Sequence, residues 1–308
     1  MALTLNDKLV VGISSRALFD LEEENQIFET QGLEEYSKYQ IENEHQILKP
    51  GTAFPLVKAL HNLNKDGNYL TEIIIMSKNS ADTSLRIFNS IEHYGLDISR
   101  AALVGGNPIA PYLNAFKTDL FLSADEKDVQ EAINANIAAG LICSHSNLPI
   151  DPDKTIDQIR IAFDGDAVIF SDESERIYQA EGLEAFSAHE QANAQNPLPE
   201  GPFAKLLKLI SMIQTGFPDK ETAPIRTALV TARSAPAHER VVRTLRAWNV
   251  RIDEAFFLGG IEKSEILKAF DANIFFDDQQ VHTDPASAVV PSAVVPYREG
   301  DDPWLAEP

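Results

Sequence analysis

The sequence repeats itself once, and this internal duplication constrains the fold more than any other feature. Residues 17–36 (ALFDLEEENQIFETQGLEEY) align with residues 167–186 (AVIFSDESERIYQAEGLEAF) at an offset of 150 residues, set by Gly32 and Gly182. Both segments contain the tripeptide Gly-Leu-Glu, and the same register pairs identical residues further on: Leu48 with Leu198, Gly51 with Gly201, Leu56 with Leu206 and Lys58 with Lys208. The chain therefore contains two copies of one structural unit.

The second part of each copy aligns as well, at an offset of 154 residues set by Gly105 and Gly259. Each copy runs as strand, polar or acidic tip, helices, apolar strand, helix, short strand ending in Gly-Gly, helix and short strand. Strands that alternate with helices predict an α/β fold, here duplicated Rossmann-like units with a parallel sheet and helices on both faces. Ligands of such sheets bind at the carboxyl ends of the strands.

These boundaries predict a first copy over residues 1–143, a linker over 144–158 and a second copy over 159–308. The linker, SHSNLPIDPDKTIDQ, is rich in Pro, Asp and Ser, which is typical of connecting segments. The acidic, Pro-containing end of the chain, residues 297–308, predicts a loose tail.

Composition excludes several classes of function. The formal net charge of −21 leaves no basic stripe for a nucleic-acid backbone, so we expect no nucleic-acid partner. The single Cys143 excludes an intramolecular disulfide and a cysteine metal cluster, and it fits a reducing compartment. The N-terminal apolar run is too short for a signal peptide and no segment resembles a membrane span, so we expect a cytoplasmic, soluble protein with no membrane partner.

Four strand ends of the second copy carry groups suited to phosphoryl transfer, in the order Asp164 and Asp166, Thr231, Lys263, and Asp277 with Asp278. One carboxylate can attack phosphorus while a second protonates the departing alcohol. A hydroxyl and a lysine can hold the phosphoryl oxygens, and Gly165 is expected to let the chain turn. An isolated Asp-Gly-Asp is usually a plain turn; the three other groups in register favour catalysis.

The four motifs resemble those of the haloacid-dehalogenase (HAD) phosphatase superfamily. Longer stretches are similar to cytosolic type-I 5′-nucleotidases: FDGDAVIFSDESERI, IRTALVTARSA and NIFFDDQ in the second copy, and SSRALF, LVGGN and FLSAD in the first. The resemblance covers about residues 9–298. It implies magnesium-dependent hydrolysis of nucleoside 5′-monophosphates through an aspartyl-phosphate, with AMP the foremost substrate and IMP, GMP and deoxynucleotides as further candidates.

The resemblance also implies a role for each motif residue. Asp164 would be the nucleophile, and Asp166 the general acid and then the base for water. Mg²⁺ would be held by the carboxylates of Asp164 and Asp277 and by the backbone carbonyl of Asp166, with Asp278 acting through water or by orienting the site. Thr231 would donate to phosphate oxygens, and Lys263 would pair with the phosphate if the start of its helix allows it to reach.

Neighbouring residues leave two interpretations open. Arg233 and Ser234 follow the same strand as Thr231, and we include both among the candidate substrate-binding residues. Arg233 can bind phosphate or a ribose oxygen, or it can cap or pair on the helix that it precedes. His282 is predicted to be a loop histidine rather than a ligand.

The first copy lacks the catalytic groups. At its matching positions stand Ser14, Arg16, Ser77, Ile109 and the pair Ser123 and Ala124. It is therefore a degenerate, non-catalytic copy. Its tips remain polar, and the candidate binding residues there are Arg16, Asn79 and Asn107. Arg16 either binds an anion, such as the far side of the substrate or a regulatory nucleotide, or is buried and neutralised by the acids of DLEEE.

A small helical cap is predicted over residues 171–199, where HAD enzymes carry a lid. Tyr178 and Phe186 can stack a purine, but helical apolar spacing more often indicates core packing. The catalytic motifs read phosphate and metal only, so a phosphatase of another small phosphomonoester stays open as an alternative. A nucleotide-sensing, weakly catalytic binding protein is the alternative of another class. The sequence does not indicate an oligomeric state.

Overall fold

The computed structural model describes residue 5 and residues 8–64, 69–143, 148–217, 219 and 222–298 of the chain. The chain divides into two units: unit 1 is Met1–Ile137 with Pro149–Asp157, and unit 2 is Ala138–Leu148 with Gln158–Pro308. Residues 144–147 of the predicted linker and residues 299–308 of the predicted tail lie outside the described residues.

Unit 1 alternates strands with helices, as its half of the duplication predicts. Its elements are β1 (Leu9–Ile13), α1 (Ser15–Leu18), α2 (Glu22–Gln31), α3 (Leu33–Glu42), α4 (Phe54–Asn62), β2 (Thr71–Ser77), α5 (Leu85–His93), β3 (Arg100–Leu103), α6 (Ala110–Ala115), β4 (Leu120–Ser123) and α7 (Glu126–Asn134).

The strands of unit 1 lie in the order β3-β2-β1-β4, and the pairs β3-β2, β2-β1 and β1-β4 are parallel. Every residue of β1 (LVVGI) and β2 (TEIIIMS) is buried. The apolar runs within them, LVV in β1 and IIIM in β2, are typical of parallel strands that are covered on both faces.

Unit 2 repeats this plan and adds a strand at each end of its sequence. Its elements are β5 (Ala138–Ile142), β6 (Ile159–Phe163), a π-helical segment (Gly165–Ile169), α8 (Glu173–Ala192), α9 (Ala204–Thr215), β7 (Ile225–Thr231), α10 (His238–Ala247), β8 (Glu254–Phe257), α11 (Ser264–Phe270), β9 (Ile274–Asp277), α12 (Gln280–Ser287) and β10 (Ser292–Val294).

The strands of unit 2 lie in the order β5-β10-β9-β6-β7-β8. Strand β10 pairs antiparallel with β5, whereas the pairs β10-β9, β9-β6, β6-β7 and β7-β8 are parallel. The predicted α/β class with mostly parallel strands is thereby confirmed, and the arrangement is consistent with a HAD-like Rossmann-type fold.

Each unit carries a pair of helical segments that bend at a glycine, which we call its lid: α2 with α3 in unit 1, and α8 in unit 2. Gly32 lies between α2 and α3 with φ 86° and ψ −178°, and Gly182 interrupts α8 with φ 83° and ψ −177°. Positive φ values are readily adopted by glycine alone. The two lids therefore share one backbone bend, and α8 occupies most of the predicted cap.

Aromatic rings fill the interior beneath the strands of unit 2. The ring of Phe203 lies 4.8 Å from that of Phe276 and 6.2 Å from that of Phe163, and all three side chains are fully buried. Because Phe163 is the last residue of β6 and Phe276 immediately precedes the last residue of β9, this packing fixes the strand ends that carry the polar residues. None of the helices in the described ranges is long and apolar enough to cross a membrane.

Candidate active site

Three neighbouring strands of unit 2 bring the predicted catalytic residues to one edge of the sheet. Asp164 follows β6, Thr231 ends β7 and Asp277 ends β9, and β6 pairs with both of the other strands. The backbone N–H of Asp164 donates to the carbonyl of Phe276 at 2.8 Å, which ties the first tip to the end of β9. The parallel sheet thus places the side chains together where such folds bind ligands.

Lys263 lies at the centre of this group. Its Nζ donates to Asp277 Oδ2 at 2.6 Å and makes a second, shorter contact with Asp164 Oδ1. The ammonium is buried, and Lys263 is the N-cap residue of α11. From this position its side chain reaches the carboxylates of the candidate site, as its predicted role requires. A single cation bridges two carboxylates that come from different strands.

Negative charge exceeds positive charge at this edge. Burial raises the pKa of Asp164 to about 6, and although Lys263 opposes this shift, the carboxylates of Asp277 and Asp166 add to it. Burial also raises the pKa of Asp277 and of Asp278. Burial alone would lower the pKa of Lys263, but Asp164 and Asp277 raise it above its ordinary value. Burial thus disfavours the charged carboxylates, and Lys263 offsets only part of this effect.

The turn after Asp164 is made by a residue that we did not predict. Gly165 does not adopt positive φ; Ala167 does, with φ 59° and ψ −5° inside the π-helical segment. A Cβ built on Gly165 would lie 3.4 Å from Thr231 Oγ1, an ordinary contact. The expectation that Gly165 lets the chain turn is therefore wrong, because the left-handed position lies two residues further on.

Arg233 binds the second aspartate of the first motif. Its Nε donates to Asp166 Oδ2 at 2.8 Å and its Nη2 donates to Asp166 Oδ1 at 2.6 Å, a two-point contact between guanidinium and carboxylate. Its Nη1 contacts Glu190 Oε2 in the lid. Burial would lower the pKa of Arg233, but Asp166 and Glu190 raise it overall. Arg233 does not pair on the helix that it precedes; its partners are a tip residue and a lid residue.

Glu190 is a buried acid that the sequence reasoning missed. Its Oε1 accepts from Arg240 Nη1 at 2.8 Å and from the Ser174 hydroxyl at 2.9 Å, and its Oε2 faces Arg233. Burial would raise the pKa of Glu190, but the two arginines lower it overall. In a Glu- and Gln-rich lid this residue looks like part of a solvated face. The signal that marks it is its mismatch with Gln40 of the first copy.

The aromatic residues of the lid lie beside Arg233. The guanidinium carbon of Arg233 is 5.3 Å from the centre of the Phe186 ring, a cation–π distance. Phe186 meets Tyr178 edge to face at 6.3 Å, and Tyr178 is 44% exposed. Glu175, also on α8 and also missed, is half-buried; burial raises its pKa, and Asp166 and Asp164 add to the shift. Arg233 therefore lies between the lid and the Asp166 tip and contacts both.

Two expectations about the end of the chain are wrong. Tyr297, assigned to a loose tail, donates its hydroxyl to Asp278 Oδ2, and burial together with Asp278 raises the pKa of Tyr297. His282, expected in a loop, lies in α12, where burial and then Lys263 lower its pKa. Ser234 lies in the loop after β7, near the Gly259-Gly260 turn, and is exposed; a Cβ built on Gly259 would lie 3.3 Å from the Cβ of Ser234.

The donor set suits a hard divalent cation. Asp164, Asp277 and Asp278 offer carboxylate oxygens, the ligands that Mg²⁺ prefers. They outnumber Lys263, and burial raises the pKa of all three carboxyl groups, so a nearby dication would stabilise their charged forms. In the described part of the chain, no three His, Cys, Asp or Glu side chains form a ready metal cage. Mg²⁺ commonly needs one or two protein carboxylates, with water and substrate phosphate as the other ligands.

The matching tips of unit 1 carry no such set. The hydroxyl of Ser15 lies 3.2 Å from that of Ser77, and Ser123 accepts from the backbone of Asp125. Arg16 is half-buried, with 33% of its side chain exposed, and it lies 4.0 Å from Glu22 of the DLEEE segment; the expected acidic neighbour is present, but the side chain is not fully buried.

The other two candidate binding residues of unit 1 differ in position. Asn79 Oδ1 accepts from the hydroxyl of Tyr36 at 2.9 Å, and both residues line a cavity of unit 1. Asn107 is exposed, and its Nδ2 donates to the carbonyl of Val104 at 2.8 Å. Asn107 does not line that cavity.

Comparison with known proteins gives a match along nearly the whole chain. A family model described as 5′-nucleotidase matches residues 1–302. The human protein named cytosolic 5′-nucleotidase 1B is 42% identical over 289 residues, which make up 90% of this chain and 47% of that protein. The chain thus spans about half the length of this curated relative.

Proposed function

Because the chain belongs to the 5′-nucleotidase family, we propose that it hydrolyses nucleoside 5′-monophosphates to a nucleoside and phosphate. AMP is the substrate that we propose first, with IMP, GMP and deoxynucleotides as further candidates. The observation that carries the proposal is Lys263, whose buried ammonium lies between Asp164 and Asp277 at the carboxyl ends of parallel strands. By analogy with the relative, whose name calls it cytosolic, we propose a cytoplasmic location.

In the proposed reaction Asp164 attacks the phosphorus atom and an aspartyl-phosphate forms. Asp164 is buried at the end of β6, so its carboxylate is poorly solvated and held in one place. Thr231 lies beside the same tip and donates its hydroxyl to a phosphoryl oxygen. Lys263 pairs with the phosphate as charge moves from the attacking carboxylate to the departing oxygen. Water then hydrolyses the aspartyl-phosphate.

Asp166 is proposed to protonate the leaving 5′-oxygen and afterwards to accept a proton from the attacking water. Its two carboxylate oxygens both accept hydrogen bonds from Arg233, so neither is free to meet the leaving oxygen. Substrate must therefore separate the pair. We propose that Arg233 keeps its contact with Glu190 and, when substrate binds, donates to a substrate oxygen instead of to Asp166. Substrate binding would thereby free Asp166 to act as the acid.

The residues present fit Mg²⁺, and we propose it as the cofactor. Asp164 and Asp277 would hold it through their carboxylates, Asp166 through its backbone carbonyl and Asp278 through water, with Tyr297 keeping Asp278 in place. When bound, the ion supplies positive charge that offsets the charge of the phosphate and of the nucleophile.

The proposal is tested by measuring phosphate release from nucleoside and sugar monophosphates with the purified chain and Mg²⁺. We expect release from AMP, loss of release in EDTA and recovery when excess Mg²⁺ is restored. Faster release from a sugar phosphate would favour the other phosphomonoester phosphatase. Binding of AMP with no release from any compound would favour the nucleotide-sensing alternative.

A further inference from the structure

Unit 1 contains a cavity of about 520 Å³ at the position that matches the candidate active site of unit 2. The tip after β1, the end of β2, the Gly105-Gly106 turn and the lid of unit 1 surround it. Cavities of roughly 300–1,000 Å³ hold small organic ligands. A copy that had become only a structural support would be expected to fill this space with side chains, since protein interiors are close-packed.

One end of the cavity offers hydrogen-bond donors. Asn79 Nδ2 is buried and has no hydrogen-bond partner within the described residues, although Asn79 Oδ1 accepts from Tyr36. A buried donor left unpaired costs about 1–3 kcal/mol, which a ligand acceptor would recover. Arg16 also lines the cavity; burial raises the pKa of the Tyr36 hydroxyl, and the charge of Arg16 opposes that shift. This end therefore suits an acceptor-rich, anionic group.

The charge available at that end is limited. Lys78 also lines the cavity, but its Nζ is 2.7 Å from Asp128 Oδ1 and 3.6 Å from Asp125 Oδ1. Its charge is already offset. Arg16 meets Glu22 at 4.0 Å, and Glu22 is mostly exposed, so the guanidinium can be drawn to a ligand. One available cation suits a monophosphate better than a polyphosphate.

The other end of the cavity is apolar and is formed by the lid. Phe28 meets Tyr36 edge to face at 5.8 Å, and Phe28 and Leu33 are 47% and 66% exposed. Exposed apolar side chains at the mouth of a cavity indicate a surface for a ligand or partner. Aromatic faces and a leucine at this spacing suit a planar, weakly polar ring.

The lid over this cavity is held by an arginine at the position that matches Arg240 of unit 2. Arg86 of α5 pairs with Glu24 of α2, and Arg86 Nε donates to the carbonyl of Gln46 at 2.9 Å. In unit 2, Arg240 Nε donates to the matching carbonyl, that of Asn196, at 3.0 Å. Unit 1 has thus kept a clamped lid, a cavity and a cation while it lost the reactive carboxylates.

We propose that the cavity of unit 1 is a second binding site, which takes a nucleoside monophosphate and does not hydrolyse it. The phosphate meets Arg16 and the free amide of Asn79, and the base lies against Phe28, Leu33 and Tyr36. Hydrolysis is excluded because Ser14 and Arg16 stand where the nucleophile and the acid stand in unit 2. The inference concerns binding alone, so it is independent of the activity proposed for unit 2.

The test is calorimetric titration of the full chain carrying Asp164→Asn, to prevent turnover, with AMP, GMP, CMP and UMP in turn. We expect that adding Arg16→Ala weakens one binding event for at least one of them by about 10- to 100-fold, as the loss of a charged hydrogen bond predicts. Arg16→Lys restores part of it. Lys38→Ala removes an exposed charge from the same lid and leaves the titration unchanged.

Hydrogen exchange locates the event. Nucleotide should slow exchange in Glu22–Gln31 and Leu33–Glu42 with Arg16 present, but not in the Arg16→Ala variant. Arg16 is partly exposed and its ion pair is long, so its loss leaves the fold intact, which an unchanged thermal midpoint verifies. Identical titrations with and without Arg16 for all four nucleotides would overturn the inference. Failure of phosphate release by the wild type would bear on unit 2 only.

Discussion

An arginine at matching positions of the two units binds the lid in each of them, but its acidic partner comes from a different position of the lid. In unit 1, Arg86 pairs with Glu24, and Gln40 stands across the lid. In unit 2, Arg240 pairs with Glu190, and a serine, Ser174, stands where unit 1 has its acid. The acid has changed sides while the ion pair has stayed. Because both units keep this ion pair although the glutamate comes from different positions, we infer that the pair stabilises the fold and does not serve the chemistry of unit 2.

The tips of the first strand show the opposite behaviour. Asp164 and Asp166 of unit 2 are replaced by Ser14 and Arg16 in unit 1, so neither matching position carries a carboxylate. The backbone also differs: Ala17 is helical in α1, whereas Ala167 is left-handed. The fold therefore tolerates the loss of these acids, and chemistry best explains why unit 2 has them.

After Asp164, the largest effect that separates the units is expected from Asp166→Asn. An amide cannot protonate the leaving oxygen, so phosphate release from AMP should fall by about 10²- to 10⁴-fold, with a smaller change in KM. The control is Asp20→Asn, an exposed aspartate of unit 1, which should leave kcat and KM as they are. Equal activity of the two variants would remove the proposed role of Asp166.

Glu190→Gln places the residue of unit 1 into the lid of unit 2. Two buried arginines lose their shared carboxylate, and breaking a buried ion pair destabilises proteins by about 3–5 kcal/mol. Denaturant unfolding should show this loss in the free energy of unfolding. Glu184→Gln, on the exposed side of the same helix, should change it little.

A second substitution sharpens this comparison. Adding Ser174→Glu to Glu190→Gln rebuilds the arrangement of unit 1, in which the arginine pairs with an acid on the first helical segment of the lid. We expect part of the lost stability to return. No recovery would mean that the acids of the two lids are not interchangeable.

The contribution of Glu190 should depend on pH. Its pKa in the folded protein is lower than the ordinary 4.5, so its stabilising effect is fully present above that value and is lost as the pH falls through the folded pKa. The stability difference between wild type and Glu190→Gln should therefore be constant near neutral pH and shrink below about pH 4. A difference that persists in acid would show that packing, not charge, is responsible.

The smallest effect is expected from Tyr297→Phe. Asp278 would lose its hydroxyl donor, and a hydrogen bond to a charged group contributes about 1.5–3 kcal/mol. We expect a higher Mg²⁺ requirement for phosphate release and little change at saturating Mg²⁺. An unchanged Mg²⁺ requirement would separate Tyr297 from the proposed metal site.

The sequence predicted those features that local pattern and duplication encode. Continuous apolar strands, the Gly-Gly turns and the residues that follow each strand were readable because parallel strands bring their carboxyl ends together. The bond between Arg233 and Glu190 was not readable, because it joins positions 43 residues apart that only the folded lid brings together. The turn at Ala167 was also hidden, since alanine gives no sign of positive φ.

Tyr297 illustrates a different limit. Its surroundings in the sequence are polar and contain proline, which predicts a loose tail, yet its ring reaches back to Asp278 after β10 has placed it. The duplication does contain a signal for Glu190. Glu24 and Gln40 of the first copy match Ser174 and Glu190 of the second, so the acid changes position between the two lids. Each lid has one glutamate at these two positions and an uncharged residue at the other, a pattern that indicates a single buried acid in each lid.

The central claim is that unit 2 carries the chemistry through Asp164 on a scaffold that unit 1 shares. The most direct measurement is phosphate release from AMP in Mg²⁺ by the full chain with and without Asp164→Asn, after confirming that both proteins unfold at comparable temperatures. We expect release to fall to the background rate in the variant, since an amide at this position cannot form the aspartyl-phosphate. Undiminished release by Asp164→Asn would contradict the account.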